Sequence, residues 1–280
     1  MTDFVAHPQH GLAWVTGASS GIGRALALHL AGDGFDVAVT ARDHERLVQL
    51  QHEAPGPGKI IVLDGDVTDP RDMERVLAAI EYEHGAMALA VLNAGVHIPV
   101  HGEDMHREDF EQTFAVNLHG TVNCLLPAVR HMQARGHGQI AIVSSIAGYG
   151  GLPTGAAYGA TKAALINMAE SLKFDLDKAG IRLQIINPGF VDTASTEKNI
   201  FPMSTLISPE EAADGIAKGL KSSGFEITFP KRLSYRMKLL KVLPYRLYFW
   251  VLNRATGWKN RPLVTQRRAA ETMARDPQAV

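Results

Sequence analysis

Seven short runs rich in Val, Ile, Leu and Ala, separated by stretches long enough for helices, constrain this chain more than any other feature. They cover 12–15, 36–40, 59–63, 88–93, 139–145, 182–187 and 225–229. The runs are near-continuous in apolar residues rather than alternating with polar ones. Strands covered on both faces read this way, as in a parallel sheet sandwiched between helices. Strands that alternate with helices build right-handed βαβ units and a doubly wound α/β sheet. The helix punctuation agrees. Ser208-Pro209-Glu210-Glu211 combines an N-cap, a proline at the first helical position and a capping-box glutamate. One long helix is expected over 110–134. Another should start near Tyr158 and stop at Gly180, a residue suited to the left-handed position past a helix end.

A length of 280 residues is within range for one such domain, and a hydrophobic share of 46% excludes a disordered chain. Cys124 is the single cysteine, which excludes a disulfide framework and suits a reducing compartment. The N-terminus, MTDFVAHPQH, lacks the pattern of a secretory signal, and no apolar run approaches the roughly 20 residues that span a bilayer. A soluble, cytoplasmic protein is the expectation. The net charge of −1 conceals an asymmetry. Residues 1–230 hold sixteen Lys and Arg against twenty-seven Asp and Glu, a net −11. Residues 231–268 hold eleven Lys and Arg and no acidic residue. The chain therefore divides into an acidic body, 1–230, and a basic extension, 231–280.

Between the first apolar run and the first helical segment lies TGASSGIG, Thr16 to Gly23. A strand, a glycine-rich turn and a helix together hold a dinucleotide pyrophosphate. The helix N-terminus offers unpaired N–H groups and a partial positive charge, and glycines let the backbone approach the phosphates. The spacing of Gly17, Gly21 and Gly23 is G-x-x-x-G-x-G rather than the commoner G-x-G-x-x-G. Alone, this turn also fits an ordinary strand–helix connection.

Further along, Tyr158 and Lys162 are four residues apart and share one helix face. A free phenol has a pKa of about 10, and a nearby ammonium lowers it towards the range useful for acid–base work. Ser145 stands at the C-terminal end of an expected strand, where ligands of open α/β sheets bind. Its hydroxyl can donate to an oxygen that gains negative charge. Ser144 is the neighbouring alternative, since side chains alternate along a strand.

Taken in order, the glycine turn, Asn93-Ala94-Gly95, Asn117, Ser145, Tyr158-x-x-x-Lys162 and Asn187-Pro188-Gly189 resemble the short-chain dehydrogenase/reductase family in its short-subunit form. The resemblance covers about Leu12 to Phe229. It implies a seven-stranded Rossmann fold and hydride transfer between a nicotinamide cofactor and a carbonyl/alcohol pair. Tyr158 is then the general acid in reduction and the general base in oxidation. Lys162 lowers the tyrosine pKa and binds the nicotinamide ribose, Ser145 bonds the substrate oxygen, and Asn117 holds a water that links Lys162 to solvent. Cofactor contacts fall on Gly17, Ser19, Gly21, Ile22 and Gly23 at the phosphates. They continue at Asp66 and Val67 beside the adenine and at Asn93, Ala94 and Gly95 along the adenosine side. Pro188, Gly189, Val191 and Thr193 flank the nicotinamide. In the family two long helices, here about 110–134 and 158–179, form a dimer interface, so a homodimer or homotetramer is expected.

The choice between NADP and NAD is read at the end of the second strand. There Thr40 takes the position of the carboxylate that would favour NAD, and Arg42 suits a 2′-phosphate, with Ser19 adding a hydroxyl. NADP is the reading. Asp43 turned inward to the ribose would reverse it, and Arg42 paired to Asp43 or Glu45 would leave it unsupported. The segment 194–207 corresponds to the family's substrate lid and holds Ile200, Phe201, Met203, Leu206 and Ile207. An apolar lid points to a lipophilic carbonyl or alcohol, in line with family members that act on lipids, retinoids or steroids. His97, His101 and His106 sit in one loop, but the chemistry calls for no metal, and loop histidines at a pocket mouth are the favoured reading.

The extension mixes cations with apolar residues and clusters Tyr245, Tyr248, Phe249 and Trp250. It suits a membrane interface or packing on a protein surface equally, and nucleic acid less well. Two alternatives to a reductase stay open at this point. One is a catalytically silent NADP-binding sensor or scaffold, disfavoured because Tyr158 and Lys162 are both present. The other is a dehydratase or epimerase, disfavoured by the glycine spacing.

Overall fold

A computed structural model describes residues 2, 4–193 and 206–263. The chain runs β1 (Leu12–Thr16), α1 (Gly21–Gly32), β2 (Val37–Thr40), α2 (His44–His52), β3 (Ile60–Val62), α3 (Pro70–Ala79) and β4 (Met87–Leu92). It continues α4 (Arg107–Phe114), α5 (Gly120–Arg135), β5 (Gly138–Val143), α6 (Ala156–Lys178), β6 (Ile181–Pro188), α7 (Pro209–Leu220), β7 (Glu226–Phe229), α8 (Lys231–Lys241) and α9 (Tyr245–Thr256). The seven strands form one sheet in the order β3-β2-β1-β4-β5-β6-β7, and every neighbouring pair is parallel. This is the doubly wound fold that the alternation of apolar runs implies.

The near-continuous apolar strands are explained by burial on both faces. In β1, Ala13 and Val15 join a core under α1, α2 and α7. Leu12 and Trp14, on the opposite face, join a second core under α3, α5 and α6. Trp14 is fully buried, and its indole N–H donates to Thr40 Oγ1 at 2.9 Å. Chain order reverses between β1 and β4. A crevice opens there beyond the carboxyl ends of the strands, the place where open α/β sheets bind ligands.

Three boundaries differ from expectation. β5 ends at Val143, so Ser144 and Ser145 lie past the strand, and Ser145 caps a short turn, Ile146–Gly148. The helix over 110–134 is interrupted. A single π turn, Ala115–His119, separates α4 from α5. The helix that carries Tyr158 begins at Ala156, and Gly180 follows its C-terminus with φ 75° as expected.

α8 and α9 fold back on the body. Ser234, Tyr248, Leu252 and Thr256 are buried. The Tyr248 hydroxyl donates to the Gly151 carbonyl at 2.7 Å, and Lys238 pairs with Glu226 at the start of β7. One face of the extension thus packs on the chain's own body, one of the two roles its composition suits.

Candidate active site

The crevice holds a cavity of about 640 Å³. Its wall is drawn from the glycine turn, the ends of β2, β3 and β4, the turn after β5, the first turn of α6 and the segment after β6. Most of the anticipated site residues line it. Gly23 and Asn117 do not.

The glycine turn is shaped as much by the protein as by any ligand. Gly17 has φ 68°, and a Cβ there would sit 2.7 Å from Ala94 Cα. A Cβ on Gly23 would run into the Gly17 carbonyl and the Asn93 amide. These glycines let the turn close on the end of β4. Asn93 and Thr16 fasten the closure. Asn93 Nδ2 donates to the Thr16 carbonyl at 3.0 Å, and the amides of Asn93 and Ala94 both donate to Thr16 Oγ1, at 3.0 and 3.1 Å. The helix that follows is left open to an anion. Ser20, at the N-cap of α1, makes no side-chain capping bond, so the first-turn amides are uncapped. Ser19, Ser20, Gly21 and Ile22 all face the cavity there. An uncapped helix N-terminus beside hydroxyls fits the pyrophosphate of a dinucleotide.

Ser145, Tyr158 and Lys162 meet at the other end of the cavity. The two serines both line the cavity but differ in their bonds. The Ser144 hydroxyl donates to the Lys162 carbonyl at 2.8 Å. Ser145 bonds the Tyr158 hydroxyl. Lys162 Nζ donates to the Val143 carbonyl at 2.8 Å and lies 5.5 Å from the centre of the Tyr158 ring.

The proton chemistry departs from the expected depression of the tyrosine. Burial pushes the Tyr158 phenol above its ordinary value, and the Ser145 bond offsets this only in part. A raised pKa leaves the phenol protonated at neutral pH, a form able to donate a proton. Burial lowers the Lys162 ammonium to about 8. Lys162 is therefore charged below that pH and neutral above it. A charged ammonium there would stabilise a phenolate at Tyr158. If Tyr158 and Lys162 act on a carbonyl as the family resemblance implies, the rate of reduction is expected to fall as pH rises through about 8. A pH–rate profile checks this, and a level profile through that range contradicts it.

Asn117 is fully buried within the π turn. Its Oδ1 accepts from the Val96 amide at 2.7 Å, and its Nδ2 donates to the Val96 carbonyl at 2.9 Å and to Thr161 Oγ1 at 3.2 Å. It ties the loop after β4 to α6 rather than standing in the cavity wall. A π turn commonly marks a functional position because it re-aims a side chain within a helix.

At the far end the structure corrects one assignment. Thr40 is buried, and its hydroxyl accepts from Trp14, so its side chain points into the core. Ala41 is the residue that lines the cavity at the end of β2. Side chains alternate along a strand, so a shift of one residue exchanges core for site. Arg42 also lines the cavity. Asp43 is occupied elsewhere. It caps α2 by accepting from the Arg46 amide at 3.1 Å, and it pairs with Arg46 Nε at 3.3 Å. Arg46 is a cavity residue that sequence reasoning missed. Its signal was the four-residue spacing from Arg42. Asp66 closes an Asx turn by accepting from the Thr68 amide at 2.9 Å, and Val67 packs on the backbone of Gly120.

Gly189, Val191 and Thr193 complete the wall with Pro188. A short parallel bridge between Val191 and Ile207 steadies this segment. Ile200, Phe201 and Met203 of the anticipated lid lie outside the described residues. The three loop histidines do not converge. His97 packs edge-on against the Tyr158 ring at 4.9 Å, His101 stacks on Trp258, and His106 pairs with Asp104. Glu226 accepts from both Tyr149 and Asn187 while paired to Lys238. It links the turn after Ser145 and the segment before Pro188 to α8.

The short chain dehydrogenase family model matches residues 12–202. An uncharacterised oxidoreductase of Myxococcus xanthus is 36% identical over 245 residues, 87% of this chain and 97% of that protein. The 3-oxoacyl-[acyl-carrier-protein] reductase MabA of Mycobacterium tuberculosis is 34% identical over 182 residues, 65% of this chain and 70% of MabA. Among solved structures, a 3-ketoacyl-ACP reductase from Sinorhizobium meliloti matches with TM-score 0.68 at 30% identity, covering 78% of this chain and 96% of that one. An alcohol dehydrogenase from Thermococcus sibiricus, complexed with 5-hydroxy-NADP, matches with TM-score 0.71 at 26% identity, covering 78% and 95%. The chain belongs to the short-chain dehydrogenase/reductase family, and it is an oxidoreductase that uses a nicotinamide cofactor.

Proposed function

We propose that the protein reduces a lipophilic ketone or aldehyde to the alcohol with NADPH. The observation that carries this reading is the composition of the two ends of one cavity. Ser145, Tyr158 and Lys162 stand at one end, and Ala41 with Arg42 and Arg46 stands at the other. When bound, the dinucleotide supplies a hydride to the carbonyl carbon. The protein's own groups do the rest. Ser145 donates to the carbonyl oxygen and orients it. Tyr158, held protonated by burial, delivers the proton to that oxygen. Lys162 stabilises the phenolate left behind.

A carboxylate at the end of β2 would bond a free ribose 2′-hydroxyl and repel a 2′-phosphate. Ala41 presents none, and Arg42 and Arg46 line the same cavity, Arg46 in an ion pair with Asp43. That supports NADP over NAD. The Thermococcus relative, with 5-hydroxy-NADP in its structure, is consistent with this choice. The lipophilic substrate is supported by the apolar sequence of 194–207 and by the relatives named as 3-oxoacyl- and 3-ketoacyl-carrier-protein reductases. The composition of the extension fits an enzyme that also meets a membrane surface. The outer faces of α5 and α6 expose Leu126 and Phe174, which supports a homodimer or homotetramer formed through those helices.

The test is NADPH oxidation, followed by absorbance, against aldehydes and ketones of graded chain length. Activity is expected to rise with chain length. Equal turnover of short and long carbonyls would refute the lipophilic reading.

A further inference from the structure

We propose that the outer face of the α8–α9 corner docks the protein on an anionic lipid bilayer. Both helices are pinned by their inner residues, so their outer residues are held in water rather than folded away. Along α8, Tyr235, Leu239 and Val242 are 61%, 68% and 78% exposed. Spaced four and three apart, they form one stripe. On α9, Tyr245, Phe249 and Trp250 are 69%, 55% and 60% exposed. Tyr245 stacks on Phe249 with ring centres 6.0 Å apart, and Lys241 Nζ lies 5.8 Å from the Tyr245 ring. Lys241, at the end of α8, thus reaches the first ring of α9 across the corner at Pro244. Exposed apolar side chains gathered in this way mark an interaction site.

Charge decides the partner. Residues 231–263 carry nine Lys and Arg and no Asp or Glu. Long cationic side chains bury their stems and keep their heads in the headgroup layer, while Tyr and Trp rings sit at the boundary with the acyl chains. The acidic body of a second copy would satisfy the cations but has no need of the aromatic and aliphatic stripe. A nucleic acid would use the cations and rings but not Leu239 and Val242. An anionic bilayer uses both sets together.

The docked face belongs to the same elements that brace the substrate end of the cavity. Tyr248 bonds Gly151, in the loop that leads to Tyr158, and Trp258 stacks on His101, four residues past the His97 that touches the Tyr158 ring. Docking would bring that end near the lipid from which an apolar substrate arrives. The inference deepens the reading of the extension but does not depend on the reduction chemistry.

The test is sedimentation of the full chain with vesicles of phosphatidylglycerol and phosphatidylcholine in equal parts, and with phosphatidylcholine alone. The protein is expected to pellet with the anionic vesicles, to be released by added salt, and to remain in solution with the neutral ones. The double variant Leu239→Ser, Trp250→Ser is expected to lose at least about tenfold in the partition to anionic vesicles. Its melting temperature and NADPH turnover should match the wild type. Failure to pellet with anionic vesicles overturns the proposal, as does undiminished pelleting by the variant. A smaller sedimenting mass for the variant in the absence of vesicles would assign this face to a second copy, and overturns it too. Docking lost with turnover kept bears on this inference alone. Turnover absent with docking kept bears on the proposed reaction alone.

Discussion

Replacing Tyr158 with phenylalanine is expected to lower kcat for carbonyl reduction by about 10²–10⁴-fold, the contribution of a positioned general acid. The expected effect is large because the phenol has no substitute. Of the other groups at that end of the cavity, Ser145 already bonds the tyrosine, Lys162 Nζ is engaged with the Val143 carbonyl, and His97 packs edge-on against the Tyr158 ring. Phenylalanine fills the same half-buried volume, so packing around α6 is retained. Lys162 and the glycine turn are untouched, so NADPH affinity should be unchanged. Stopped-flow kinetics with a fluorescence titration of NADPH separates the two. A variant that keeps turnover within about tenfold of wild type would remove Tyr158 from the chemistry, and a variant that loses NADPH binding would show that the substitution acted on the site as a whole.

Ala41→Asp is expected to reverse the cofactor preference. The new carboxylate would stand where Ala41 lines the cavity, beside Arg42. Like charges brought together in a partly desolvated site cost several kcal/mol, so NADPH affinity should fall on the order of 100-fold. NADH, whose ribose keeps its 2′-hydroxyl, should gain a hydrogen-bond acceptor and bind more tightly. Parallel titrations with the two dinucleotides read the result. An unchanged preference would mean that the 2′ position does not lie at the end of β2. The companion substitution Thr40→Asp makes the alternative explicit. It would bury a carboxylate against Trp14 and act on stability instead of on cofactor choice.

The contrast between those two positions shows where the sequence is legible. Runs buried on both faces identify themselves by composition, and all seven appear as strands of one parallel sheet. Which residue of a strand end faces the site is a matter of register, and a single residue separates Thr40 from Ala41. The same limit applies past β5, where Ser144 and Ser145 are adjacent and both line the cavity; they differ in that Ser144 bonds the Lys162 carbonyl and Ser145 the Tyr158 hydroxyl. The π turn at Ala115–His119 leaves no mark in the apolar periodicity, so 110–134 reads as one helix although Asn117 sits at its interruption. Arg46 has only its four-residue spacing from Arg42 as a signal in the sequence, since its place in the wall depends on how α2 leaves β2. The sequence reads the glycines as room for phosphates, whereas the atoms that crowd Gly17 and Gly23 belong to Ala94, Asn93 and the turn itself. The direction of the Tyr158 shift was also hidden, because burial is a property of the folded site and outweighs what the spacing to Lys162 suggests.

Hydride is expected to pass from NADPH to a carbonyl held between Ser145 and Tyr158. The most direct measurement uses NADPH deuterated at the transferring position of the nicotinamide, a long-chain ketone and mass spectrometry of the product. The account predicts an alcohol with deuterium on the carbinol carbon, formed by the wild type and not by Tyr158→Phe. An alcohol without that label, or labelled product formed equally by the variant, would contradict it.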